Sequence, residues 1–171
     1  MILGVTHPKG TFIGTPFILS GKADLILLSP GGIEVNCARF TNVVNLGLAA
    51  TSRFDMAGGY FNVFQTSSEE LNSLRWPDDD SPDQLSNRFF SNTRSSELSS
   101  DNHSSFQGSI KISDQLTVDQ NLLVVAEQPI KLVDSQLDIS GDVLLESRIS
   151  ALDVLPGPRE IPKLSLIHIS E

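Results

Sequence analysis

The densest group of chemically capable side chains is acidic: Asp78, Asp79, Asp80 and Asp83. Cleaving or binding a polysaccharide takes carboxylates held at a fixed separation, or a calcium ion on oxygen ligands. Consecutive aspartates in a polar stretch point in different directions and have no rigid element beneath them, so this cluster is read as a solvated loop rather than a metal site. His7 and His103 are too isolated for a metal pair, and neither lies near a recognisable nucleophile; both are read as surface histidines. Cys37 is the only cysteine, with no partner for a disulfide or a zinc site, and is expected to be a small buried apolar residue. No Gly-x-Ser-x-Gly elbow or phosphate-binding loop occurs. Trp76 with Tyr60 and Phe61 is compatible with a carbohydrate platform, but capping the flank of a sheet is the preferred role. The chain is therefore expected to have no catalytic residue, no metal and no cofactor.

The elements around these residues are strands. Among 171 residues, 39% are apolar and only 19% charged, with Ser, Asn, Asp, Gln, Thr and Gly abundant, which suits a turn-rich all-β chain. Lys and Arg number 12 against 21 acids, for a net charge of −9; the basic footprint that attracts phosphate backbones is missing, so nucleic acid is not an expected partner. No run approaches the roughly 18 apolar residues of a membrane helix.

Between Ser109 and Glu146 the strand candidates recur. Ile110 to Ile112, Leu116 to Val118, Leu122 to Val125, Ile130 to Leu132, Leu137 to Ile139 and Val143 to Leu145 follow one another with a few turn residues between them. A shift of about 20 to 21 residues superposes the first three on the last three, which is the period of a coiled β solenoid with three short strands per rung. Ile112, Val118, Val124, Leu132, Ile139 and Leu145 are predicted to face inward, and Lys111, Thr117, Lys131 and Asp138 outward.

The earlier half repeats less regularly. Phe17 to Leu19, Ala23 to Leu28, Ile33 to Val35 and Val43 to Leu48 are strand candidates, and Ser29-Pro30-Gly31-Gly32 predicts a chain reversal. Ser67 and Glu70 form a capping box opening a short helix through Leu74. Pro77 to Ser105 reads as a long polar surface excursion, with Phe89 and Phe90 as its anchor.

The stretch Ala23-Asp24-Leu25-Ile26-Leu27-Leu28-Ser29-Pro30-Gly31-Gly32-Ile33, followed by Ala38-Arg39-Phe40-Thr41-Asn42-Val43, resembles the N-terminal secretion domain of filamentous haemagglutinin-like exoproteins of two-partner secretion systems in Gram-negative bacteria. Pro30, Gly32 and Ile33 match that family's Asn-Pro-Asn-Gly-Ile motif, while Ser29 and Gly31 replace its asparagines. The resemblance covers residues 10 to 155 and implies a right-handed parallel β-helix over residues 1–155. It also implies a non-catalytic secretion and adhesion module of a large exoprotein, secreted or held at the cell surface. The implied partner is an outer-membrane β-barrel transporter with periplasmic recognition domains, with host or surface glycans as further ligands. Ser29, Pro30, Gly31, Gly32, Ile33, Asn36, Ala38, Arg39, Phe40 and Asn42 are the residues the resemblance assigns to transporter recognition.

The family's signal peptide and first strands are expected upstream of Met1. Leu164 to Glu171 looks like the translation of a sequencing adapter, so residues 156–171 are expected to be a non-native or disordered tail. Two alternatives share the expected fold. One is a polysaccharide-active β-helix enzyme, decided by turnover on pectin-like substrates; the other is an autotransporter passenger, decided by a barrel encoded downstream in the same gene.

Overall fold

The computed structural model describes residues 1–76, 81–89, 108–126, 128–147 and 167–169. Strands dominate, and all-β is the fold class. In chain order they are β1 (Ile2–Gly4), β2 (Thr11–Ile13), β3 (Phe17–Leu28), β4 (Ile33–Ala50), β5 (Arg53–Met56), β6 (Gly59–Asn62), then helices α1 (Ser68–Ser73) and α2 (Pro82–Asn87), then β7 (Ile110–Val118), β8 (Asn121–Ala126), β9 (Ile130–Ile139), β10 (Val143–Ser147) and β11 (Ile167–Ile169).

Parallel pairing organises nearly all of them into three ladders. The first runs from β1 through the end of β3 and the end of β4 to β8 and β10, with Ile2 opposite Ile26, Leu25 opposite Leu46, Leu46 opposite Leu122, and Leu122 opposite Val143. A second joins β2, the start of β4, β7 and β9 through Thr11, Ile33, Ile110 and Ile130. The third joins the start of β3, the middle of β4, β7 and β9 through Phe17, Phe40, Val118 and Ile139. Within residues 110–146 the pairing follows the predicted superposition: Ile110 with Ile130, Leu116 with Leu137, Leu122 with Val143.

One hydrophobic core is common to all three ladders, built from residues such as Leu25, Leu46 and Leu122 of the first, Ile33 and Ile110 of the second, and Phe40 and Val118 of the third. Ile112, Val118, Val124, Ile139 and Leu145 are buried in it as predicted. Leu132 is not; it is 44% exposed, beside Val133 at 42%. The first half of β9 pairs only with β7, and among the described residues nothing lies along its other edge. An inward-compatible pattern buries a side chain only if a further strand covers it.

The first ladder is buried on both faces. Ile26, Leu28, Ala49, Leu123, Val125 and Leu144 point away from the common core into a second cluster with Phe54, Leu85 and Phe89. Both-sided burial is why Leu25–Leu28 and Leu122–Ala126 read as unbroken apolar runs instead of alternating ones. The covering layer comes from residues inserted between Ala50, where β4 leaves the ladder, and Ile110, where β7 resumes it. It contains the antiparallel hairpin β5–β6 and both helices. The departure therefore starts well before Pro77. Phe89 anchors it as expected, 1% exposed and 5.0 Å from the Phe54 ring centroid; Phe90, Asp78, Asp79, Asp80 and His103 lie outside the described residues.

α1 carries the predicted capping box: the Glu70 amide donates to Ser67 Oγ, and the Ser67 amide donates to Glu70 Oε2 at 2.8 Å. These bonds from Ser67 hold the Glu70 carboxyl below the usual carboxylate range. A depressed pKa stabilises the helix start above that range, and the contribution is lost as acidification protonates Glu70.

Corners between the second and third ladders share a backbone device. Cys37, Asp114 and Asp134 all have positive φ, at 51°, 57° and 46°, and each falls at a register shift between neighbouring strands. Aspartate tolerates this conformation; cysteine does so less readily. Cys37 is also exposed, which corrects the expectation of a buried apolar residue: the left-handed corner turns its side chain outward. Cys37→Gly should therefore raise stability by about 0.5–1 kcal/mol, read as a higher denaturation midpoint at unchanged slope.

The turn at Ser29–Gly32 forms, closed by the Gly32 amide donating to the Ser29 carbonyl at 2.9 Å. It makes no hairpin, because Leu25–Leu28 pairs with Leu46–Ala49 rather than with Ile33–Val35. At the other end, β11 pairs antiparallel with β10, Ile169 opposite Val143, although this segment was expected to lack native structure. An open ladder edge accepts any short strand-forming segment, so the pairing requires no membership of the repeat.

Candidate functional site

The ten residues assigned by resemblance lie along one continuous path, from the corner after β3 to the third ladder. Most are structural. Ser29, Pro30, Gly32, Ile33, Ala38 and Phe40 are buried, and Ser29 Oγ donates to the Gly32 carbonyl at 2.7 Å inside its own turn. The corner is clasped on both sides: the Thr11 amide donates to the Gly32 carbonyl at 3.0 Å, and the Gly108 amide to the Pro30 carbonyl at 2.8 Å. Gly10, Gly31, Gly32 and Gly108 sit backbone against backbone, and a Cβ on Gly108 would overlap the Gly31–Gly32 main chain. Glycine is needed here for close approach as well as for the positive φ of 110° at Gly32.

The two asparagines of the path are also committed within the fold. Asn36 Nδ2 donates to Ser113 Oγ at 3.2 Å, and Asn42 Nδ2 donates to the Leu19 carbonyl at 2.8 Å while the Asn42 amide donates to Asp119 Oδ2 at 2.7 Å. Asn42 thus ties β4 to β3 and to the bend after β7 from a φ of 63°. Arg39 alone among the ten is classed as exposed, in an outward row with Thr117 and Asp138. Beside it on the second ladder Glu34 and Lys111 pair at 2.8 Å, and Phe12 is 65% exposed.

A polar ladder at the entry to the first ladder lies outside the residues assigned to transporter recognition and was not anticipated. Asn45 Nδ2 donates to Asp24 Oδ1 at 2.8 Å, Asn121 Nδ2 donates to Asn45 Oδ1 at 2.9 Å, and the Asp142 amide donates to Asn121 Oδ1 at 2.9 Å. Trp76 Nε1 closes the row by donating to Asp24 Oδ2 at 3.1 Å, which gives the indole the capping role on the sheet flank. The available signal was an Asp or Asn immediately before each apolar run, at positions 24, 45, 121 and 142. Asn45 is only 2% exposed, so Asn45→Leu removes a donor from Asp24 Oδ1 and the acceptor of Asn121 Nδ2 and should cost about 2–3 kcal/mol, measured by chemical denaturation; Asp142→Asn, whose side chain takes no part in the row, should leave stability within about 0.5 kcal/mol.

The covering layer holds a cleft of about 570 Å³ between hairpin β5–β6 and α2. Arg53 Nε is 2.8 Å from Asp55 Oδ1, and the guanidinium lies 4.0 Å from the centroid of the Tyr60 ring. Cross-strand register creates this arrangement, since Asp55 stands directly opposite Tyr60 and Arg53 lies two residues away on the same face. Gln84, Asn87 and Arg88 form the opposite wall. Among the described residues no group of three or more His, Cys, Asp or Glu could hold a metal ion, and no helix is long and apolar enough to cross a membrane. Comparison with protein-family models, with curated proteins and with solved structures finds no match.

Proposed function

We propose that the three ladders are the walls of a right-handed parallel β-helix and that the chain is a non-catalytic secretion and adhesion module, recognised by an outer-membrane transporter and displayed outside the cell. The observation that carries this reading is the register: strands return to the same ladder at offsets such as the 21 residues between Asp24 and Asn45 and between Asn121 and Asp142, around a core that all three ladders share. A scaffold of that kind can be extended through an export pore as an unfolded chain and then added strand upon strand, since each turn needs only its neighbour to be satisfied.

Burial of the Ser29–Ile33 corner and of Phe40 divides the ten residues by role. The buried ones build the stacked corners that start the fold, and Arg39, with its outward neighbours, is the part that meets the transporter. Pull-down of the complete domain by the periplasmic domains of the transporter encoded beside it tests this directly. Wild type should be retained, and Arg39→Ala should be retained less while keeping its melting temperature. If the folded wild-type domain is not captured, the export role fails.

A further inference from the structure

We infer that the outer surface of β2 and of the start of β3, bracketed by Lys9 and Lys22, docks on a lipid bilayer that carries anionic headgroups. The inference goes beyond the export role and depends on neither Arg39 nor a protein partner.

The apolar part of the surface is the pair Phe12 and Ile18. They are 65% and 69% exposed, more than any other large apolar side chain among the described residues. Ile13, Phe17 and Leu19 pack against the shared core, and strand alternation then turns Phe12 and Ile18 outward. Packing does not require an apolar group at either place, since Glu34 and Thr41 take the equivalent positions on β4. Gly14, Thr15 and Pro16, all exposed, form the corner between the two. The Phe12 ring leans over this corner, so close to Gly14 that a Cβ there would overlap it. The pair therefore flanks a projecting edge rather than lining a recess.

Charge around that edge runs against the rest of the chain. The net charge is −9, yet residues 1–23 hold Lys9 and Lys22 and no aspartate or glutamate. Both lysines are exposed. Glu34, the neighbour of Phe12 one strand along, is already paired with Lys111 at 2.8 Å. The other acids of these two walls, Asp114, Asp134 and Asp138, belong to β7 and β9, two and three strands away. At the strand spacing of a sheet that is about 10 and 14 Å, beyond the screening length of about 8 Å at physiological salt. A negative surface approaching Phe12 and Ile18 meets the lysines first.

Size and shape favour lipid over a protein. Two apolar side chains and a proline on a convex edge fall well short of the roughly 1,000 Å² of complementary contact that a specific protein interface needs. A bilayer asks for less: a few protruding apolar groups enter the headgroup layer while flanking lysines stay at its charged surface. The long stems of Lys9 and Lys22 let their ammonium groups reach that level from either side.

Flotation of the chain with vesicles of phosphatidylglycerol and phosphatidylcholine in equal parts tests the proposal, with pure phosphatidylcholine as the neutral control. Wild type should float with the anionic vesicles alone, and less as salt is raised. Phe12→Ser combined with Ile18→Ser should lower partitioning about tenfold or more at an unchanged melting temperature, because both side chains are exposed. Lys9→Glu and Lys22→Glu should each lower it about fivefold or more, and they decide the location should the serine variant melt early. Leu132→Ser, which alters an exposed apolar residue on β9 with Asp134 nearby, should leave it unchanged. Absence of flotation, equal flotation with neutral vesicles, full partitioning of the folded serine and glutamate variants, or an equal loss in Leu132→Ser would each overturn the assignment. Binding to polyglutamate with none to vesicles would do so too, and would give the edge to an acidic protein instead. Arg39 is unchanged in every variant, so loss of lipid binding with capture by the transporter domains retained separates failure here from failure of the export role.

Discussion

Phe40→Ala should lower the unfolding free energy by about 3–5 kcal/mol, enough to remove much of the stability of a domain of this size. The ring is 2% exposed and 5.9 Å from the Phe17 ring centroid, in the core common to all ladders. Its removal opens a cavity that parallel strands on both sides cannot close without losing register. The neighbouring residue gives the contrast: Arg39 points outward, so Arg39→Ala should change stability by no more than about 0.5 kcal/mol. Urea denaturation of the two variants measures both effects. Equal and small losses would place Phe40 at a recognition surface and remove the division of roles along residues 29–42.

Gly108→Ala should be comparably damaging. The added methyl would meet the Gly31–Gly32 backbone rather than the end of a flexible side chain, and main chain pinned by the Gly108 and Ile33 amide bonds cannot yield locally. Overpacking of side chains costs about 1–3 kcal/mol; backbone against backbone at a stacked corner should cost about 3 kcal/mol or more by the same reasoning. The expected result is recovery mainly as insoluble protein, with a lowered melting temperature in whatever stays soluble. Gly21→Ala is the control, since a Cβ there meets nothing within 4 Å, and it should melt like the wild type.

Residues 109–146 announced their pairing because each strand there is stacked on its own repeat, so one aliphatic side chain predicts the next. Leu132 escaped that logic: whether a position is covered depends on what lies beyond it, and a pattern carries no mark of the edge. Ile26, Leu28, Leu123 and Val125 escaped it for the opposite reason. Their burial comes from a layer formed by Phe54, Leu85 and Phe89, residues distant in sequence whose own stretch lacks any repeat. The resemblance around Ser29–Asn42 located a stretch that proves central to the fold, yet sequence could not separate side chains that build a corner from those that face outward. The cleft was less legible still. Tyr60 was noticed as an aromatic, but Arg53 and Arg88 are brought together by a hairpin and a helix whose docking no local pattern encodes.

The separation of 77 residues between Glu34 and Lys111, which pair across adjacent strands, has a kinetic side. Strands β7 to β10 find their partners within about 20 to 21 residues, while β4 must wait for the whole intervening stretch to close on itself before β7 can join it. Loop closure grows only slowly with length, about 0.6 kcal/mol per doubling, so the junction is tolerable at equilibrium, yet distant contacts of this sort slow the search. Zipping should therefore pause at that junction, and splicing Ala50 to Ser109 through a short turn should speed refolding even as it strips the outer cover from the first ladder and lowers its stability.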